Sequence, residues 1–224
     1  MALPRRRGIV CVVSDRSRLA PGASLEAQLD AVIAQATAAA AAGADLFQVR
    51  ERDLSAGLLL SLSERAVEAA SGTMTRVLVN DRLDIAIAAG AHGVQLRSAG
   101  LPAAEVRRLA PPAFLTGVST HDRPGAVAAE AGGADVVVFG TVFQTSSKAP
   151  DHRWAGADAL AAVAGAVSVP VLAIGGIDAR TIGAVAARCS GVAAIGWFAT
   201  TDRRRMAEAV RAARAAFDTI EPVI

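Results

Sequence analysis

Short apolar runs rich in β-branched residues alternate with longer, alanine-rich stretches along the whole chain. The short runs have the length and composition of buried strands, and they cover residues 9–13, 46–49, 77–79, 93–96, 115–118, 136–139, 171–174 and 193–195. The stretches between them show helical spacing of apolar positions, and they cover residues 25–42, 56–70, 83–89, 103–109, 125–131, 158–167, 179–187 and 203–217. The pattern therefore predicts eight consecutive strand–helix units.

Eight such units without a linker are typical of a single (β/α)8 barrel, a fold of about 250 residues; the chain has 224 residues. A doubly wound sheet is the alternative, but it normally has fewer strands and a glycine-rich first turn. The first turn here is Ser14-Asp15-Arg16. We therefore expect one α/β domain over residues 1–224, in which residues 1–7 form a flexible, solvated leader.

Composition narrows the classes of function. The chain is 53% hydrophobic and 20% charged, which suits a globular protein with a large core, and its formal net charge is only +2. So small a charge favours neither nucleic-acid nor membrane binding, and no run reaches the ~18 apolar residues of a membrane span. Cys11 and Cys189 show no metal-binding or redox spacing, which favours buried free thiols. We expect a cytoplasmic protein.

Polar residues follow the second predicted strand. Active sites of such barrels lie at the carboxyl ends of the strands, whereas residues at the amino ends serve stability. Gln48 and Arg50 share one face of the chain by alternation, and burying them at the barrel mouth is costly unless they meet a ligand or a partner charge. We interpret both as ligand-binding residues; the alternative is an internal ion pair between Arg50 and an acid such as Glu51.

The third and fifth predicted strands are also followed by polar residues. Asn80 is a candidate ligand donor, and Asp81 is either the N-cap of the next helix or a metal ligand. Ser119 and His121 follow the fifth strand, where an imidazole can transfer protons near neutral pH; a capping or supporting role is the alternative for His121. His92 comes just before its strand, so we expect it to serve stability.

The sixth predicted strand ends at Gly140 and continues into a polar loop that contains Thr145, Ser147 and Lys148. Hydroxyl groups and a lysine at the end of a buried strand are typical of an anion-binding loop. The loop over residues 144–154 is long and polar, so we also expect it to be mobile. This segment therefore predicts a phosphorylated substrate.

Glycines follow the last two predicted strands: Gly175 and Gly176 after the seventh, and Gly196 after the eighth. Glycines let backbone N–H groups approach an anionic ligand closely. Barrels of this type often bind phosphate in the loops after strands seven and eight. We therefore predict the main phosphate site at these three glycines.

Together these segments resemble the thiamine phosphate synthase and thiazole tautomerase superfamily. The similarity runs from Val12 to Trp197 and rests on residues 48–52, 79–96, 117–122, 134–148 and 170–177, in matching order and spacing. The resemblance implies a (β/α)8 barrel of thiamine biosynthesis that binds a phosphorylated thiazole, with the phosphate in the last two strand-end loops.

Synthases of this superfamily join a pyrimidine diphosphate to thiazole phosphate with the help of magnesium and release pyrophosphate. The positions that resemble their pyrimidine- and diphosphate-binding residues are Gln48, Arg50, Asn80, Thr145, Ser147 and Lys148. Asp81 matches one of two magnesium-binding aspartates, but the second falls at Gly100, where the chain reads Arg97-Ser98-Ala99-Gly100. Losing one carboxylate weakens a magnesium site, although Arg97 supplies positive charge.

Other departures resemble the tautomerase branch, which aromatises a carboxylated thiazole phosphate by proton transfer and needs no metal. Arg52 replaces a common synthase lysine, and His121 matches the tautomerase's proton-transfer histidine. Arg50 or Arg52 would then bind the substrate carboxylate. The resemblance favours this isomerase, without a cofactor; the alternatives are the synthase, with magnesium at Asp81, and a non-catalytic phosphate-binding barrel. Assembly as a homo-oligomer stays open.

Overall fold

The computed structural model describes residues 8–145 and 153–218, which form a closed barrel of eight parallel strands. Each strand pairs with the next along the chain, and β1 pairs with β8 to close the barrel. The strands are β1 Ile9–Val13, β2 Leu46–Val49, β3 Arg76–Asn80, β4 Gly93–Leu96, β5 Leu115–Thr120, β6 Val136–Gly140, β7 Val171–Ile174 and β8 Gly191–Ala194. The predicted (β/α)8 fold is confirmed.

Helices follow the strands and pack around the barrel. They are α1 Arg16–Leu19, α2 Leu25–Ala41, α3 Ala56–Ala69, α4 Leu83–Ala88, α5 Ala103–Leu109, α6 Arg123–Ala131, α7 Gly156–Ala164, α8 Gly183–Ala186 and α9 Arg203–Asp218. Side-chain oxygens of Ser24, Ser55 and Asp122 accept hydrogen bonds from backbone N–H groups at the starts of α2, α3 and α6, which fixes where these helices begin. No helix among the described residues is long and apolar enough to cross a membrane.

Several elements differ in their bounds from the sequence prediction, and three of the differences have a clear physical reason. Strand β8 begins at Gly191, two positions before the predicted start at 193. A side chain at position 191 would come within 2.1 Å of the Ile9 carbonyl oxygen, so the strand starts with a glycine, which carries no apolar signal. Helix α1 follows the first turn and was not predicted, since four residues are too few to show periodicity. Helix α8 has only four residues, because the side chain of Asp178 accepts from the N–H groups of Arg180 and Thr181 and holds them in a turn.

Two apolar layers stabilise the barrel. Alternate strand residues fill its interior, and these are Ile9, Cys11, Val13, Leu46, Leu78, Leu115, Val136, Val138, Leu172 and Ala193. The residues between them point outward and pack against the helices. Because interior positions repeat every second residue, Gln48, Asn80 and Ser119 continue the interior rows towards the carboxyl end. Cys11 and Cys189 are buried thiols that form no disulfide, as predicted, and burial raises the pKa of the Cys11 thiol to about 12.

Charged groups at the amino ends of the strands bond to the protein itself. The carboxylate of Asp45 accepts from the backbone N–H of Val10 at 2.9 Å and from the guanidinium of Arg214 at 3.0 Å. Asp135 is bonded in the same way, to the backbone N–H of Thr116 at 2.7 Å and to Arg107. These contacts tie helices α9 and α5 to the sheet.

His92 lies at the same end. Its Nδ1 accepts from the backbone N–H of Val77 at 3.1 Å, so this ring nitrogen must be unprotonated. Burial and the charge of Arg76 lower the pKa of His92. The position and the contact agree with the structural role predicted for this residue.

Candidate functional site

A cavity of about 850 Å³ opens at the carboxyl ends of the strands. Its floor is apolar and includes Val138, Ile174 and Ile195, which top the barrel interior. The structure brings most of the predicted site residues to its wall: Gln48, Arg50, Arg52, Asn80, Ser119, His121, Thr145, Gly175, Gly176 and Gly196. Ser147 and Lys148 lie outside the described residues, and Asp81 lies beside the cavity rather than on its wall.

Two pairs of polar side chains cross the mouth between neighbouring strands. The amide of Gln48 donates to Asn80 Oδ1 at 2.9 Å, and the amide of Gln95 donates to Ser119 Oγ at 3.0 Å. Gly117 makes room for Gln95, since a side chain at that position would come within 2.1 Å of its Oε1. The sequence prediction missed Gln95, although a glutamine inside an apolar strand was the available signal.

Arg50 presents a guanidinium that makes no ion pair or hydrogen bond with a described residue, although Asp15 and Glu51 lie near enough to act on its charge. Its backbone N–H donates to Ser14 Oγ at 2.9 Å, but its guanidinium has no hydrogen-bond or ion-pair partner among residues 8–145 and 153–218. Burial is the main cause that lowers the pKa of Arg50, followed by the nearby charge of Arg52. A half-buried cation facing a cavity is therefore poised for an anionic ligand.

The alternative of an ion pair between Arg50 and Glu51 is wrong. The buried carboxylate of Glu51 instead accepts from Ser14 Oγ at 2.7 Å and from Arg16 Nη1 at 3.1 Å. Burial raises the pKa of Glu51, and these hydrogen bonds oppose that rise. Glu51 thus joins the loop after β2 to the loop after β1, and Arg50 remains free to face the cavity.

His121 is oriented by the backbone at the end of β6. Its Nδ1 lies 2.5 Å from the carbonyl oxygen of Gly140. Because a carbonyl oxygen only accepts, Nδ1 carries the hydrogen and Nε2 is left with a lone pair in the neutral ring. No described residue bonds to Nε2, so this nitrogen can accept a proton in the cavity. The peptide bond that follows, between Gly140 and Thr141, is cis.

The loops after β7 and β8 offer unused backbone donors. The N–H groups of Gly176, Ile177, Gly196 and Trp197 have no acceptor among the described residues. Gly175 and Gly176 have left-handed φ angles of 98° and 66°, and a side chain at Gly176 would come within 2.5 Å of the Gln144 carbonyl oxygen. Glycine is thus required here, and the open N–H groups suit a phosphate.

The cavity wall is rich in arginine. Among the described residues its one acidic member is Asp178, which bonds to Arg180 at 2.8 Å. Its basic members are Arg18, Arg50, Arg52, Arg97 and Arg180. Arg18, on α1, pairs with Asp15 at 3.3 Å and lies near Gly196, so its guanidinium is close to the open N–H groups. The sequence prediction missed Arg18 and Arg180, although each follows a strand by only a few residues.

Asp81 does not form the metal site or the helix cap that the sequence suggested. Helix α4 begins after Arg82 without a side-chain cap, and the Asp81 carboxylate lies 2.5 Å from Arg97 Nε. No group of three His, Cys, Asp or Glu side chains within the described ranges could hold a metal ion. A magnesium ion needs hard, negatively charged oxygens, and the single carboxylate here already meets a cation. Within residues 8–145 and 153–218, the side chains at this position do not by themselves fit a magnesium site.

Comparisons of the sequence with known proteins identify the family and several relatives of this chain. Residues 12–198 match the family described as thiamine monophosphate synthase. A thiamine-phosphate synthase of Anaeromyxobacter dehalogenans is 45% identical over 73% of this chain and 73% of its own length. That of Methanoculleus marisnigri is 44% identical over 70% of this chain and 75% of its own.

A solved structure extends the likeness to the whole barrel. The thiamine phosphate pyrophosphorylase of Pyrococcus furiosus superposes with a TM-score of 0.77 at 26% identity, over 93% of this chain and 95% of that one. With a family match over residues 12–198 and relatives above 40% identity, this chain belongs to the thiamine monophosphate synthase family of thiamine-biosynthesis enzymes.

Proposed function

We propose that this protein is a thiamine phosphate synthase, a transferase that joins a pyrimidine diphosphate to thiazole phosphate and releases pyrophosphate. The observation that carries the proposal is the presence of two anion-binding regions on one cavity. One region contains Arg50, Arg52 and Arg97 after β2 and β4; the other contains the open N–H groups after β7 and β8. In a closed barrel of this strand order they lie across the mouth from each other.

Two phosphorylated substrates need two such regions. The open N–H groups of Gly176 and Gly196, with Arg18 beside them, would hold the thiazole phosphate. The opposite arginines would hold the diphosphate and balance the charge that grows on it as its bond to the pyrimidine breaks. The amides of Gln48 and Asn80 lie between strands β2 and β3 at the mouth, where they can orient a ring by hydrogen bonds. The thiazole ring nitrogen supplies the electron pair of the new bond to the pyrimidine methylene carbon, and the electron pair of the broken carbon–oxygen bond leaves on pyrophosphate.

The relatives support the synthase over the isomerase that the sequence patterns favoured. Both curated relatives described above carry the synthase name, and neither comparison distinguishes a tautomerase branch. A tautomerase needs a phosphate site and a proton carrier, and it would use the second cationic region only for a carboxylate. The synthase uses both regions fully.

The thiazole tautomerase is the second candidate, and His121 is the observation that favours it. Its free Nε2 faces a cavity that contains phosphate donors, which is the arrangement that a proton shuttle requires. In that reaction the imidazole would take a ring proton and return it to the exocyclic carbon.

Purified protein incubated separately with the two substrate sets tests the proposal. The first set is pyrimidine diphosphate plus thiazole phosphate, with and without Mg²⁺, and we expect thiamine phosphate. The second set is the carboxylated thiazole phosphate tautomer, and we expect no aromatisation above the rate in buffer. The reverse result would establish the tautomerase, and binding without turnover of either set would establish the non-catalytic barrel.

His121→Asn separates the two chemistries further. Asparagine can still donate to the Gly140 carbonyl oxygen, but it cannot carry a proton. We expect at least a tenth of the synthase rate to remain, because general acid–base work contributes about 100-fold or more where a reaction depends on it. A fall of that size in the synthase rate would give His121 a catalytic role that the proposal does not include.

A further inference from the structure

An arginine occupies the place where a metal ligand would be needed. The Nε of Arg97 lies 2.5 Å from Asp81 Oδ2, and the Arg97 side chain is 68% exposed while that of Asp81 is 20% exposed. The two Nη atoms of Arg97 have no partner among the described residues. Asp81 therefore holds the Nε side of the guanidinium. The Nη side is left for a ligand in the cavity, whose wall includes Arg97.

Gly100 explains why one carboxylate and one cation can pair here. A side chain at position 100 would begin 2.9 Å from Asp81 Oδ1 and 3.2 Å from the Arg97 carbonyl oxygen. A second carboxylate at that position would thus lie against Asp81, and two adjacent carboxylates would recruit a cation from solution. With glycine at 100, Arg97 supplies that cation from the chain itself.

The surroundings reinforce the positive charge. Arg50 and Arg52 line the same side of the cavity, and Arg50 has no protein partner within the described residues. A guanidinium binds phosphate oxygens through two parallel hydrogen bonds. Together, and allowing for the Asp81 carboxylate that pairs with Arg97, these groups can offset much of a diphosphate's charge without a divalent ion.

We propose that Arg97, held by Asp81, replaces the divalent cation at this site, so that the protein binds the diphosphate group without a metal. This inference rests on the proposed synthase function and adds the source of the neutralising charge. When the bond between the pyrimidine methylene carbon and the diphosphate oxygen breaks, its electron pair stays on pyrophosphate. The Nη hydrogens of Arg97 stabilise that charge, while Asp81 acts as a positioning residue.

Calorimetric titration with inorganic pyrophosphate in EDTA tests the first part. The wild-type protein should bind, and Arg97→Gln should weaken binding by about tenfold or more, the size of one or two charge-assisted hydrogen bonds. Arg108→Gln is the matched control, because that arginine is 73% exposed and pairs with Glu105 at 2.8 Å on α5, away from the cavity. The pyrophosphate affinity of Arg108→Gln should stay within about twofold of wild type. Equal binding by wild type and Arg97→Gln, or none by wild type, would overturn the proposal.

Adding Mg²⁺ to the same titrations tests the second part. The pyrophosphate affinity of wild type and of Arg108→Gln should change equally, by less than about tenfold. The pyrophosphate affinity of Arg97→Gln should rise towards that of wild type, because Asp81 is then free to bind the ion. A gain of tenfold or more for wild type would show that the metal, and not Arg97, completes the site.

The variant Arg97→Gly/Gly100→Asp provides a readout that needs no substrate. It places two carboxylates together without the competing cation, so Mn²⁺ measured by electron paramagnetic resonance should bind at least about tenfold more tightly than to wild type. Equal Mn²⁺ binding by the two proteins would contradict the account. These binding results do not depend on turnover. If the protein formed no thiamine phosphate but bound pyrophosphate as expected, the proposed function would be rejected while the role of Arg97 in binding would stand.

Discussion

The two ends of the barrel differ in the polar groups that they leave without a partner. At the amino ends, Asp45 meets Arg214 and a backbone N–H, and His92 accepts from Val77. At the carboxyl ends, the Arg50 guanidinium and the N–H groups of Gly176 and Gly196 have no partner within the described part of the chain. Arginine and backbone N–H groups thus stabilise the protein at the amino ends and remain available to a ligand at the carboxyl ends.

Physical cost explains this difference. A buried polar group without a partner lowers the free energy of unfolding by about 1–3 kcal/mol, and a ligand that binds the Arg50 guanidinium and the open N–H groups would offset that cost. Substitutions at the amino ends should therefore reduce stability and spare activity, whereas substitutions at the carboxyl ends should do the reverse.

Arg50→Gln should produce the largest effect on function. It removes a free cation that faces the substrate, and we expect kcat/KM for thiamine phosphate formation to fall by about 100-fold to 1,000-fold. Its melting temperature should equal or exceed that of wild type, because a desolvated charge without a partner is lost. Steady-state kinetics and thermal unfolding measure the two effects. A destabilised variant with normal kcat/KM would show that Arg50 serves stability and not substrate binding.

Asp45→Asn is the counterpart at the opposite end. It leaves the partly exposed Arg214 guanidinium without its carboxylate, so the free energy of unfolding should fall by about 2 kcal/mol. Denaturant titration measures that loss. Activity of the folded fraction should match wild type, and a changed kcat/KM would show that the two ends are coupled.

Gly176→Ala should have a smaller effect, confined to phosphate binding. The left-handed φ of 66° and the nearby Gln144 carbonyl oxygen force the loop to move. We expect the KM for thiazole phosphate to rise about tenfold, corresponding to about 1.4 kcal/mol. Gly183→Ala is the control, since nothing lies within 4 Å of a side chain at that helical position. Equal KM values for the two variants would remove Gly176 from the phosphate site.

His92 should make the smallest contribution, visible as a dependence of stability on pH. Its pKa is lower in the folded protein than the usual 6.5, so the unfolded chain takes up the proton first as the pH falls. Stability is therefore unaffected above about pH 6.5 and is lost progressively below it. His92→Gln keeps an acceptor for the Val77 N–H and should flatten that slope. Identical slopes between pH 7 and 5 would show that His92 does not titrate as described.

The sequence predicted the barrel and much of its mouth because both follow from periodicity. Alternation along a strand decides that Gln48 and Asn80 point inward, and strand order decides that they meet. The Arg97–Asp81 pair could not be predicted this way, because it depends on a left-handed φ of 61° at Asp81 and on the path of a loop. Strand β8 was misplaced because Gly191 has no apolar side chain to mark its start.

The most direct test of the synthase assignment is the stoichiometry of the reaction with pyrimidine diphosphate and thiazole phosphate as the only substrates. Thiamine phosphate is quantified by fluorescence after oxidation, and pyrophosphate by a coupled enzymatic assay in the same samples. We predict that the two products appear together in equal amounts and that Arg50→Gln reduces both. Pyrophosphate release without thiamine phosphate, or neither product at any enzyme concentration, would contradict the account.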